Sequence, residues 1–211
     1  MSISSSKEVI LKKIRKALSE STPLPFPQSE GTASLYHPAN EELAIQFAEQ
    51  FTKLQGKFLF CLTMAEACAQ LTALAAARGW ANLYCTEKSL QTSLQKAGFT
   101  AFSTGTLADC DAAITSCESL VARTGTIVLS SHTESGRTTS VYAPVHICIA
   151  NSSQLLYDIK DALQLARDTY GNQLPSVISF ASGPSRTADI EKTLVTGVHG
   201  PKEVYLLLVD E

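Results

Sequence analysis

From Asn40 onward, short apolar runs alternate with longer segments whose apolar residues recur at helical spacing. A short apolar strand and an amphipathic helix each have a face to bury, and stacking them in layers around one core does this. The spacing predicts a helix over 40–55, with Leu43, Phe47, Phe51 and Leu54 on one face and Gly56 at its end. A strand follows over 57–62. Thr63 and Glu66 form a capping box for a helix that stops at Gly79. Residues 82–85 read as a strand and 87–97 as a helix closed by Gly98. Residues 112–115, 126–130 and 145–150 read as three more strands. Ser152 or Ser153 can cap a long helix through Tyr170. Residues 177–180 and 204–209 read as buried strands. Between them a helix carries Ile190, Leu194 and Val195, with Ser185 or Thr187 as its cap. The pattern predicts a three-layer α/β/α domain over 39–211.

Strand pairing follows from the connections. Residues 131–144 show no helical pattern, and parallel neighbours usually need a helical crossover. Strands 126–130 and 145–150 are therefore expected to pair antiparallel, which makes the sheet mixed. Strands 145–150 and 177–181, joined by a helix, are expected to form a right-handed parallel unit. That arrangement puts the Ser182 loop at the carboxyl edge of the sheet, the usual place for ligands in open α/β folds, and His146 and His199 at the opposite edge.

Residues 5–20 read as an amphipathic helix with Ile10, Ile14 and Leu18 on its stripe and Lys12, Lys13, Arg15 and Lys16 around it. Residues 21–38 hold Pro23, Pro25, Pro27, Gly31 and Pro38 and read as a linker. Residues 1–38 thus form an arm that can pack on its own domain or on a neighbouring subunit, which leaves a homo-oligomer open. With 45% hydrophobic residues the chain can bury a real core. A net charge of −3 gives no electrostatic case for nucleic acid. The apolar runs are too short for a membrane span, and the start lacks a signal-peptide core, so the expected compartment is the cytoplasm. None of the six cysteines forms a CxxC pair, so a metal or iron–sulfur site made by this chain alone is not expected. Buried free thiols are the expectation, with Cys110 and Cys117 as the candidates for a reactive one.

Four groups of residues could carry chemistry. Ser182, Gly183, Ser185 and Arg186 lie between a strand and the start of a helix, where unpaired amides and a guanidinium can cradle phosphate or carboxylate. The other reading is an ordinary turn, with Gly for backbone shape and Ser as cap. The loop after residue 129 carries Ser130, Ser131, His132, Glu134 and Arg137; Arg137 can fork onto an anion, and a solvated loop is the alternative. His132 beside Ser131 gives only a weak nucleophile–base pair, with no third partner assignable. His146 and His199 are the catalytic candidates, a pair able to act as acid and base, against a core histidine and a turn residue. Asp189 and Glu191 sit in the first turn predicted for the last helix, where carboxylates stabilise a helix start.

Several of these segments together resemble the lactate utilization protein C family (LutC/YkgG, the LUD domain). The matching pieces are Thr124-Gly-Thr-Ile-Val-Leu-Ser-Ser131, Arg137, Pro144-Val-His146, Ser182-Gly-Pro-Ser-Arg-Thr-Ala-Asp-Ile-Glu191 and Gly197-Val-His-Gly-Pro201. Arg123 stands where the family usually has Glu. The resemblance covers roughly residues 110–211 and implies an α/β/α fold with a mixed sheet, like NagB, RpiA and the CoA transferases. It implies a subunit that helps oxidise L-lactate to pyruvate together with iron–sulfur partner proteins, LutA- and LutB-like, which would carry the clusters; no cofactor is expected on this chain. The ligand expected from the chemistry of Ser182, Gly183, Ser185 and Arg186, with Arg137 as a second clamp, is a small carboxylate or phosphate-bearing molecule. Two alternatives remain open. One is a stand-alone enzyme on a phosphorylated sugar, folate or CoA-like substrate. The other is a non-catalytic assembly or regulatory subunit docking through residues 1–38.

Overall fold

The computed structural model describes residues 5–19, 42–187 and 195–210. The chain divides into two units, Met1–His37 and Pro38–Glu211. Of the first, helix α1 (Ser5–Ser19) is described, with Glu8 in its first turn and Lys16 in its last. The linker read over 21–38 lies outside the described residues, as do Asp189 and Glu191.

In the second unit the elements run α2 (Leu43–Lys53), β1 (Lys57–Cys61), α3 (Met64–Arg78), β2 (Leu83–Tyr84), α4 (Lys88–Lys96), β3 (Ala112–Thr115), β4 (Ser119–Val121) and β5 (Thr126–Ser130). Then come α5 (Thr139–Tyr142), β6 (Val145–Asn151), β7 (Leu155–Leu156), α6 (Ile159–Tyr170), β8 (Ile178–Ala181), β9 (Arg186–Thr187), β10 (Val195–Thr196) and β11 (Glu203–Val209). Local chemistry sets several boundaries. Thr63 accepts a hydrogen bond from the Glu66 amide at the start of α3, and Gly79 ends it at φ +68°.

The architecture is α/β, as the alternation predicts. Five parallel strands form one sheet in the order β1-β11-β6-β3-β2, and four form a second in the order β7-β4-β5-β8. Strands β6 and β11 lie in the middle of the first sheet and are buried on both faces, which is why they read as continuous apolar runs. Ile147, Ile149, Tyr205 and Leu207 face one hydrophobic cluster with α3 and α4 residues. Cys148, Leu206 and Leu208 face another, which takes in Phe47 and Phe51 of α2 and Leu120 and Ile127 of the second sheet. Helix α6 covers the other face of that sheet through Ala162, against Val121 and Val128.

Two strand pairings and two helix starts are corrected. Strands β5 and β6 are not partners: β6 runs parallel between β3 and β11, while β5 lies antiparallel between β4 and β8. The mixing predicted for one sheet therefore sits in the second, where β4 also pairs parallel with β7. Strand β8 is not parallel to β6; it is an edge strand of the second sheet, with Phe180 39% exposed. Ser152 and Ser153 do not cap a long helix. They form a 3-10 turn capped by Asn151 and Gln154, and α6 starts later on Asp158. The fourth correction concerns the start of the last predicted helix: Arg186 and Thr187 form β9, antiparallel to β10, and 188–194 lie outside the described residues.

Candidate functional site

The starts of β6 and β11 come together because the Lys202 amide donates to the Pro144 carbonyl at 2.8 Å. Above this edge lies a groove of about 470 Å³ whose wall includes Thr138, Tyr142, His199 and Lys202. His199 is exposed there. No acidic side chain lines the groove among the described residues. Two basic-type residues without a facing carboxylate favour an anion electrostatically. The loop that carries them is held from behind by Ser185. Its amide donates to the Pro201 carbonyl at 2.9 Å, and its carbonyl accepts from the Gly197 amide at 2.9 Å. A Cβ at Gly200 would lie 2.8 Å from Ser185 Cβ, so only glycine lets the two segments approach this closely.

The structure thus joins two groups that the predicted topology set on opposite edges. Because β8 runs in the second sheet, the Ser182–Arg186 segment comes to the amino edge of the parallel sheet, beside His199, and not to a carboxyl edge shared with β6. The other residues of that segment engage the end of α2. The Arg186 guanidinium donates to the Leu54 carbonyl, at the helix C-terminus where carbonyls lack internal partners. Gly183 holds φ +83°, and a Cβ there would lie 2.6 Å from the same carbonyl oxygen. Ser182 shares a 2.7 Å hydrogen bond with Thr126, and Thr126 another of 2.7 Å with Thr124. The Thr124-Gly125-Thr126 and Ser182–Arg186 segments therefore meet around one helix end.

His146 is 1% exposed. Its Nε2 lies 2.8 Å from Thr115 Oγ1, whose own proton is directed at the Ser116 carbonyl at 2.8 Å. The imidazole therefore donates from Nε2. Burial pushes its pKa down to about 4, so it is neutral at pH 7. Arg137 is exposed and donates to Ser176 at 2.5 Å. In the same loop Ser131 bonds Ser176 at 3.0 Å, and the His132 ring packs edge-on against Tyr170 at 4.9 Å. Glu134 accepts from the Lys88 amide at 2.6 Å, at the start of α4. Ser135 donates to Glu87, which is buried and also takes the Ser116 amide at 3.1 Å. These contacts tie the loop down over the ends of β2 and β3, where an untied solvated loop was one reading.

All six cysteines are free and buried. Burial pushes the Cys110 thiol up and the Cys85 thiol up to about 11, which disfavours the reactive thiolate. Among the described residues no three His, Cys, Asp or Glu side chains cluster to hold a metal ion. Nor, among the described residues, is any helix long and apolar enough to cross a membrane. Sequence reasoning missed Lys202. It lies three residues after His199 across the Gly200-Pro201 turn, and that turn is the signal that both side chains belong to one loop.

The "Lactate utilization protein C" of Bacillus subtilis is 39% identical over 100 residues, covering 46% of this chain and 42% of that protein. The protein of the same name from Shouchella clausii is 39% identical over 102 residues, 48% of this chain and 44% of that one. An uncharacterized protein of Neisseria meningitidis is 36% identical over 99 residues, 47% and 42%. The match spans less than half the length of these relatives. A crystal structure of a DUF162 family protein from Deinococcus radiodurans superposes with TM-score 0.58 at 19% identity, over 82% of this chain and 99% of that one, and so shares the fold. The model of the LUD domain matches residues 103–209, half of the chain and the part that holds the groove and both motifs, and the chain belongs to the LUD domain family.

Proposed function

We propose that this chain is a subunit of an L-lactate utilization system that oxidises L-lactate to pyruvate with iron–sulfur partner proteins, and that it binds a small carboxylate or phosphate-bearing ligand in the His199 groove. The observation that carries the reading is the groove itself, with Lys202 and His199 on one loop and no carboxylate among its described lining residues. Kinship with proteins named for lactate utilization supports the pathway. In this proposal Lys202 meets the ligand's charge, and His199, exposed in the groove, is the acid–base candidate. Buried His146 is the second candidate named from sequence, and its neutral imidazole, bonded to Thr115, supports a positioning role at the start of β6. Ser185 braces the loop, Ser182, Gly183 and Arg186 fix the segment that carries Ser185, and Arg137 is the second clamp, next to groove residue Thr138 in sequence.

Titration calorimetry of the full chain with L-lactate, pyruvate and inorganic phosphate tests this. At least one of the three is expected to bind, and Lys202→Ala to weaken it about tenfold or more, the effect of losing a charged hydrogen bond. Growth of a deletion strain on L-lactate should be rescued by the wild-type chain and not by the His199→Ala, Lys202→Ala double variant. Binding indifferent to Lys202→Ala removes the groove from the reading, and growth without the chain removes the pathway.

A further inference from the structure

Helix α6 presents Ala162 and Ala166, one turn apart, to the outer face of the second sheet, and their small side chains leave a cavity of about 210 Å³ between the two layers. That volume is below the range of drug-sized pockets and suits a ligand of a few heavy atoms. Its body is apolar, with Val128, Leu165 and Ile178 on the walls. Its polar end is built from Glu118, Ser119, Ser130 and Tyr170. The Ser130 hydroxyl and the Tyr170 hydroxyl, the latter at 2.7 Å, both donate to Oε1 of Glu118. Their protons are therefore committed; the Tyr170 oxygen presents lone pairs, and the Ser130 oxygen, which also accepts from the His132 amide at 3.2 Å, keeps one. No hydrogen bond to Oε2 of Glu118 is found among the described residues.

Ser119 adds an independent sign. The residue is 1% exposed, lines the cavity, and its hydroxyl has no hydrogen-bond partner among the described residues. A buried hydroxyl left this way is costly, and the cavity is the side from which a partner can come. No Lys, Arg or His lines the cavity among the described residues. A carboxylate or phosphate would face Glu118 with like charge, so this site differs in sign from the groove of His199 and Lys202 and does not rest on the reading given to it.

We propose that this cavity is a binding site for a small primary alkylammonium compound. Its three N–H donors match the free face of the Glu118 carboxylate, the Ser119 hydroxyl and the lone pairs of Ser130 or Tyr170, and its methylenes lie against Val128, Leu165 and Ile178. The test is ligand-observed NMR titration of the full chain with n-propylammonium chloride, propan-1-ol and sodium propionate, three probes of one shape and different charge. The ammonium is expected to bind, the alcohol to bind at least about tenfold more weakly, and the carboxylate not to bind. Glu118→Gln should abolish ammonium binding. Ser119→Ala should weaken it about tenfold while leaving the thermal midpoint unchanged or raised, since the hydroxyl has no partner to lose within the chain. This second variant keeps the test decisive if Glu118→Gln perturbs the fold. Equal binding of alcohol and ammonium, binding of propionate, no binding of ammonium, or a lowered midpoint with unchanged affinity in Ser119→Ala would each overturn the proposal.

Discussion

Gly125 and Gly183 are held where they are by the backbone of another element. Gly125 sits at φ +57°, and a Cβ there would lie 2.4 Å from the Phe51 amide nitrogen of α2. Gly125→Ala and Gly183→Ala therefore face both a left-handed backbone and a backbone neighbour that cannot move aside. Each is expected to destabilise the fold by about 2 kcal/mol or more, read from urea midpoints. Wild-type stability in either variant would mean that α2 packs differently. His146 makes a pH prediction. Its pKa falls from the usual 6.5 to about 4 on folding, so between those values the unfolded chain binds more protons. Stability contributed by the neutral form is fully present above pH 6.5 and is lost as pH falls toward 4, on the order of 3 kcal/mol for this group. Urea titrations from pH 7 to 4 should show a shallower loss in His146→Gln than in the wild type; equal slopes would reject the buried neutral imidazole. At this scale the sequence showed which residue types were unusual and not what they touch. The Ser182–Arg186 stretch has the composition of an anion cradle, yet Arg186 meets a carbonyl 132 residues away in the chain, and no local pattern encodes that contact.

Elements were legible where they are long enough to show a period. The six-residue apolar stretch in β11, Val204–Val209, and the amphipathic spacing of α2 each stand out against their flanks. Strands β4, β7, β9 and β10 are two or three residues long and show no alternation, so the second sheet was invisible and its members β5 and β8 were assigned to the first. The start of α6 was misplaced for a related reason. Both Ser152 and Asp158 are good N-cap types, and only the pairing of β7 with β4 uses up the residues between them. Asp158 accepts from the Lys160 amide at 3.0 Å, and Asp161 reaches back to the Asp158 amide at 3.0 Å. Arg123, pairing with Asp158 at 2.5 Å, ties this cap to the turn after β4. The Lys160 amide first, and then Arg123, holds the Asp158 carboxyl below its usual range, so its contribution is present above the ordinary aspartate pKa and lost only in strong acid. Asp158→Ala should cost about 1–2 kcal/mol at pH 7, and Asp158→Asn, which keeps the cap and drops the charge, clearly less. Equal losses in the two variants would shift the weight from the cap to the ion pair.

At the scale of the whole molecule, the family model covers residues 103–209 while the shared fold reaches across 82% of the chain. The shared fold thus extends beyond the part of the chain that the family model matches. Packing explains how this can be. Phe47 and Phe51 of α2 fill the cluster between the two sheets, and Leu71, Leu90 and Leu94 of α3 and α4 cover the other face of the parallel sheet. These positions require apolar volume and helical period, which many sequences supply. All four hydrophobic clusters draw only on residues from Leu43 onward, among the described residues. A chain beginning at Pro38 thus retains every described core contact. It is expected to unfold cooperatively with a thermal midpoint within about 2 °C of the full chain, since a shift of 1 kcal/mol in a domain of this size moves the midpoint by about 2–4 °C. The reading of residues 1–38 as a docking arm adds a second outcome. The shortened chain should keep its midpoint and its groove affinity but not co-purify with the proposed iron–sulfur partners. A midpoint lowered by about 5 °C or more would instead assign the arm a part in the core, and unchanged partner capture would assign docking to the α/β unit.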